Sequence, residues 1–94
     1  MLNRRAKRRY LSVIHMGPAN EAVNAITKRC SDLFGSIATE KAAIRLVRSE
    51  SNVTIIKCRL EQLDNVLAAI ALSNPQVVAR DMSGSIKQLR SRLP

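Results

Sequence analysis

At 94 residues the chain has room for one domain, a sheet backed by two or three helices, and none for a roomy buried active site. A hydrophobic share of 46% with 24% charged residues excludes a disordered segment, and one Phe, one Tyr and no Trp make the core aliphatic. The net charge of +9 points to a polyanion, and nucleic acid fits better than a membrane because no basic segment is backed by a long, bulky apolar face.

The first ten residues carry Arg4, Arg5, Lys7, Arg8 and Arg9 with no acid, so residues 1–8 are predicted to form a basic arm ahead of a single domain, residues 9–94. Arg9 to Met16 is β-rich and closed by Gly17-Pro18, a first strand. A helix follows, with Pro18 suited to its start. Ala22, Val23, Ile26, Cys30, Leu33 and Phe34 recur at three- and four-residue spacing, and Gly35 ends it. Ser36 to Lys41 has room for a short helical turn. Ala42 to Ser49 and Val53 to Leu60 read as a hairpin about Glu50-Ser51-Asn52. Alternation turns Ile44, Leu46, Ile56 and Cys58 toward the helices. It leaves Arg45, Val47, Ile55, Lys57 and Arg59 on an opposite, open face, basic and partly apolar.

Leu63, Val66, Leu67 and Ile70 mark a second helix from about Glu61 to Ser73, stopped by Pro75, and Gln76 to Met82 is a fourth strand. A terminal helix begins at Ser85, with Ile86, Leu89 and Leu93 on its inner side and Lys87, Arg90 and Arg92 available to a partner. This order, with right-handed crossovers, gives an α/β fold. It is a four-stranded antiparallel sheet with both main helices on one face, ferredoxin-like or RNA-recognition-motif-like, plus the C-terminal helix.

The last segment is the best candidate for holding a phosphate. Ser83, Gly84 and Ser85 sit where a strand ends and a basic helix begins. Ser85 and Gln88 have capping-box spacing, the hydroxyl accepting from the Gln88 amide while the Gln88 side chain reaches back. An ordinary capped turn accounts for the same residues. Ser85 to Pro94 adds three cations and no acid, so the two ends hold eight of the nine excess charges on a nearly neutral body. A basic tail that only aids solubility explains that distribution too.

Catalytic patterns are missing. His15 lies in a strand beside no evident nucleophile or acid, Glu61 and Asp64 suit a helix start, and neither a nucleophile elbow nor a Walker loop occurs. Cys30 and Cys58 fit apolar periodic positions, as reduced core cysteines in an intracellular protein, and no stretch has the length of a signal peptide or membrane span. The expected location is cytoplasmic. Phosphate and shape recognition by arginines remains; base stacking is disfavoured because the third strand has no aromatic residue.

The chain resembles the protein component 2 family of archaeal and eukaryotic ribonuclease P. The residues that carry the resemblance are Arg8-Arg9-Tyr10-Leu11, Leu33-Phe34-Gly35, Ile56-Lys57-Cys58-Arg59, Val66-Leu67-Ala68-Ala69-Ile70 and, most strongly, Met82-Ser83-Gly84-Ser85-Ile86-Lys87. The family's last motif commonly reads Ser-Gly-Thr-Ile-Arg. Ser85 and Lys87 stand in for its Thr and Arg, and lysine lacks the bidentate fork.

The resemblance implies a non-catalytic subunit in removal of the 5′ leader from precursor tRNA. It implies no cofactor on the protein, since Mg²⁺ belongs to the RNA subunit. The implied partners are the ribonuclease P RNA, precursor tRNA through the holoenzyme, and protein component 3 in a two-plus-two heterotetramer. The RNA-contacting residues it implies are Arg4, Arg5, Lys7, Arg8, Arg9, Ser83, Gly84, Ser85, Lys87 and Arg90. A small ligand-sensing ferredoxin-like module is the alternative, with Gly17-Pro18 as its loop, but such a sensor has no need of five cations in ten residues. An acylphosphatase-like enzyme lacks its phosphate loop between Met16 and Glu21.

Overall fold

The structure, a computed structural model, describes residues 7–73 and 76–91. Along Arg8–His15 (β1), Leu11, Val13 and His15 are buried on one face of the strand, which therefore faces the helices. The chain continues through Ala19–Phe34 (α1), Ser36–Ala42 (α2), Arg45–Glu50 (β2), Val53–Arg59 (β3), a 3₁₀ turn at Leu60–Gln62, Leu63–Ala71 (α3), Val77–Ser83 (β4) and Ile86–Ser91 (α4). The strands form one sheet in the order β2-β3-β1-β4, every neighbour antiparallel.

Pro18 precedes α1 with φ −66°, and its carbonyl accepts the Ala22 amide at 3.2 Å. A residue without an N–H loses nothing there. Gly35 ends the helix at φ 89°, with its amide on the Ser31 carbonyl at 2.8 Å, and α2 starts at once. That backbone is strained for any residue bearing a Cβ, so glycine allows two helices to abut without a loop.

One core lies between the sheet and the two long helices. Leu11, Val13, Ile56, Cys58 and Val77 of the strands pack with Ala22, Ile26 and Cys30 of α1 and Val66, Ala69 and Ile70 of α3. Ala42 and Ile44 close it beside β2. Ile44, Ile56 and Cys58 thus point as their alternation predicts. Leu46 remains 39% exposed on β2, the edge strand. A bulge between Leu46 and Arg48 shifts the register at Val47 and brings Arg48 opposite Ile55.

The expectation of an open second face needs correction. Ile55 is paired with Ser12, and both are buried although neither belongs to the helix-side core. Leu89 of α4 is also buried outside that core, and α4 packs on β4 and β1. The terminal helix therefore lies across the face opposite α1 and α3 and covers its centre. Ile14 and Val78 remain half-exposed at one end of this face.

Candidate nucleic-acid interface

Strand order makes neighbours of the chain's two basic ends. Tyr10 near the start of β1 pairs with Ser83 at the end of β4, so the segment before Tyr10 and the segment after Ser83 emerge at the same end of the sheet. Lys7 is exposed just ahead of β1, its carbonyl accepting the Leu60 amide at 2.8 Å. Arg8 is exposed opposite Arg59, and Arg9 lies opposite Cys58. Lys87 and Arg90 are exposed on α4, while Leu89 between them is buried and anchors the helix. Lys7, Arg8, Arg9, Ser83, Gly84, Ser85, Lys87 and Arg90 are thereby brought together. Arg4, Arg5, Arg92 and Leu93 lie outside the described residues.

The turn into α4 differs in detail from a capping box. The Ser85 carbonyl accepts the Leu89 amide at 3.4 Å, which places Ser85 at the cap position. The side-chain work is done two residues earlier. Ser83 Oγ accepts the Ser85 amide at 3.1 Å and donates to Gln88 Oε1 at 2.7 Å. Gln88 does reach back, but to the Ser83 hydroxyl. The strand end holds Ser83 in place, so it can serve both partners at once, each bond contributing about 1 kcal/mol.

Gly84 allows a close approach. A Cβ at that position would stand 3.2 Å from Arg9 Nη1 and 3.6 Å from Arg9 Cζ. The Arg9 guanidinium therefore lies against the turn, where Nη1 also donates to the Arg8 carbonyl at 3.0 Å. A cation from the first strand and the backbone entering the last helix occupy one small region.

Three cations absent from the predicted contact set share this end of the sheet. Lys57 is opposite Tyr10 on one side and Arg45 on the other, and Arg59 is opposite Arg8. Strand alternation had already put Arg45, Lys57 and Arg59 together, but only the register shows them next to Arg8 and Tyr10. Arg48, on the same face, pairs with Glu50 at 2.6 Å.

The other candidate groups have structural employment. His15 is buried with Nδ1 3.1 Å from the Gly17 carbonyl, which can only accept, so Nδ1 carries the proton and the Thr54 hydroxyl donates to Nε2 at 2.6 Å. Cys30 and Cys58 are free and buried, and the Cys58 thiol is pushed up to about 11, first by burial and then by Cys30 beside it. Among the described residues no three His, Cys, Asp or Glu side chains gather as a metal site. No helix among them is long and apolar enough to cross a membrane.

The Rpp14/Pop5 family model matches residues 9–93. Among curated proteins none matches the chain at a significant level.

Proposed function

The chain belongs to the Rpp14/Pop5 family, which is the ribonuclease P protein component 2 family, and from that membership we propose that it binds and supports the ribonuclease P RNA during removal of 5′ leaders from precursor tRNA. The observation that carries this reading is the Tyr10–Ser83 pairing, which brings the start of β1, with Lys7, Arg8 and Arg9, and the turn into α4 to the same end of the sheet. Lys7, Arg8, Arg9, Lys87 and Arg90 neutralise phosphates there. Arg4 and Arg5, outside the described residues, belong to the same proposed contact set, and Ser83, Gly84 and Ser85 offer hydroxyls and amides to the backbone. The protein acts without an active site or cofactor of its own, the catalytic Mg²⁺ residing on the RNA. It works in the cytoplasm and pairs with component 3 in a two-plus-two assembly. A backbone reader of this kind recognises a folded RNA by shape, in keeping with a sheet whose sole tyrosine is no stacking platform.

If about eight phosphates are engaged, the log–log salt dependence of binding has a slope of roughly −6 to −7. A dissociation constant that hardly moves between low and high salt would sink the electrostatic mechanism. The decisive experiment is reconstitution of 5′ cleavage from the RNA and component 3, with and without this chain. A higher rate or a lower Mg²⁺ requirement is expected, and no change in either refutes the role. In the same assay Lys87→Glu with Arg90→Glu should weaken support with an unchanged circular dichroism spectrum. Full activity of that variant removes α4 from the RNA surface.

A further inference from the structure

We propose that the strand end formed by Arg8, Arg45, Lys57 and Arg59 is a phosphate seat for the RNA backbone, separate from the Ser83–Ser85 turn. The inference rests on the RNA-binding role proposed above and adds Arg45, Lys57 and Arg59, which the chain-end set does not include, around its Arg8. The four side chains line one concavity of about 170 Å³ with Ala43 and Cys58. Small-molecule pockets run to roughly 300–1,000 Å³. This one has the size for a phosphate and its water, and is too small to enclose a nucleoside.

The register is the strongest part of the case. Arg8 stands directly opposite Arg59, and Arg45 directly opposite Lys57, so two like-charged pairs face each other on adjacent strands. Such pairs destabilise a sheet. None of the four lies within ion-pair distance of an acid among the described residues, while Arg48 one row away has Glu50. Folding alone gives no reason for four cations around one hollow. A bound polyanion does, because it turns the mutual repulsion into attraction. Arg45 is already oriented, with Nη1 donating to the Ile44 carbonyl at 2.9 Å, and its remaining donors are left for a ligand.

RNA fits this hollow better than an acidic peptide. The lining has no exposed large apolar side chain to anchor a peptide, since Ala43 is small and Cys58 is buried. Three of the four cations are arginines, whose forks match phosphate oxygens. Across the sheet the row reads Arg45, Lys57, Tyr10, Ser83, so Tyr10 stands between the hollow and the turn before α4. With strands about 4.8 Å apart that row spans roughly 14 Å, a length over which one RNA backbone can meet both ends.

The test is the dissociation constant of the full chain for the ribonuclease P RNA across a salt series, comparing wild type with Arg45→Gln/Lys57→Gln/Arg59→Gln. The expected result is a slope smaller in magnitude by about 2 to 3 and affinity at least tenfold weaker at low salt, with thermal stability unchanged or raised. Salt-dependent binding by wild type with the same slope in the triple variant overturns this inference and leaves the proposed function standing. Absence of RNA binding by wild type overturns both. Should the variant not fold, the wild-type chain is titrated with inorganic phosphate while the arginine Nε–H resonances are followed. Selective shifts of Arg8, Arg45 and Arg59 with Arg48 unmoved support the seat. Equal shifts of all arginines, or suppression of RNA binding by poly-glutamate at equal charge with no phosphate response, reject it.

Discussion

The two faces of the sheet bury different things and leave different things uncovered. On the side of α1 and α3, Leu11, Val13, Ile56 and Cys58 meet Ile26, Cys30, Val66 and Ile70, and no charged side chain is buried among the described residues. On the other side a single helical turn and a half, α4, covers Ser12 and Ile55, and cations stand along the margin. The first face is specified by what it excludes from water, so substitutions there register as lost stability. The second is specified by what it holds out to water, so substitutions there should register as lost binding at constant stability.

The largest effect should come from the first face. Ile56→Ala removes a fully buried side chain from the middle of the core and should cost about 2–5 kcal/mol in urea unfolding. RNA affinity per folded molecule should not change. A cost below about 1 kcal/mol would mean that the core can collapse around the gap, and the contrast between the faces would weaken.

Leu89→Ala asks whether α4 belongs to the fold or only rests on it. Leu89 is buried against a face that also buries Ile55, so truncation should cost about 2–3 kcal/mol, the lower part of the range for buried leucines because only one short helix is released. Loss of only a few tenths would show that α4 is an appendage. The second face would then be open, as alternation alone predicts.

A third effect depends on pH and belongs wholly to the helix-side core. The Cys58 thiol is raised from 9.0 to about 11 in the folded chain by burial and by Cys30. The folded state therefore holds its proton more tightly than the unfolded state does. That contribution is fully present below about pH 9 and is lost as pH rises toward 11, on the order of 2 kcal/mol. Chemical unfolding of wild type and Cys58→Ala from pH 8 to pH 11 separates this loss from other titrations. Parallel curves for the two proteins would show that the thiol does not contribute.

Most of the first face was legible in the sequence. The spacing of Ala22, Ile26 and Cys30, the stop at Gly35, and the alternation through Ile56 and Cys58 all follow from local sequence signals, while the stop assigned to Pro75 falls outside the described residues. The second face was legible only in part, because its properties come from register. Nothing local in Arg8 or Arg59 shows that they stand opposite one another, and the bulge at Val47 interrupts the alternation that assigned β2. Periodicity did predict the inward side of α4, through Leu89. It could not say which side of the sheet the helix would land on. The Ser83–Gln88 bond was missed for a related reason: capping-box spacing points to Ser85, and only the paired end of β4 holds Ser83 where it serves better.

The smallest change tests the margin of the sheet, where Arg9 meets the turn before α4. Gly84→Ala places a Cβ 3.2 Å from Arg9 Nη1, the far end of a flexible side chain that can retreat by a few tenths of an ångström. Its stability cost should stay within about 0.5 kcal/mol, since Gly→Ala also narrows the unfolded ensemble. The guanidinium, however, is displaced by those few tenths of an ångström from its place against the turn that Ser83 organises. If that placement serves RNA, affinity should fall severalfold with the salt slope unchanged, because a charge has moved and none has been removed. Arg9→Gln should instead lower the magnitude of the slope by about 0.7–0.9. The pair of variants separates position from charge. Wild-type affinity in Gly84→Ala with a reduced slope in Arg9→Gln would mean that Arg9 acts as charge alone. The glycine would then serve the turn and not the interface.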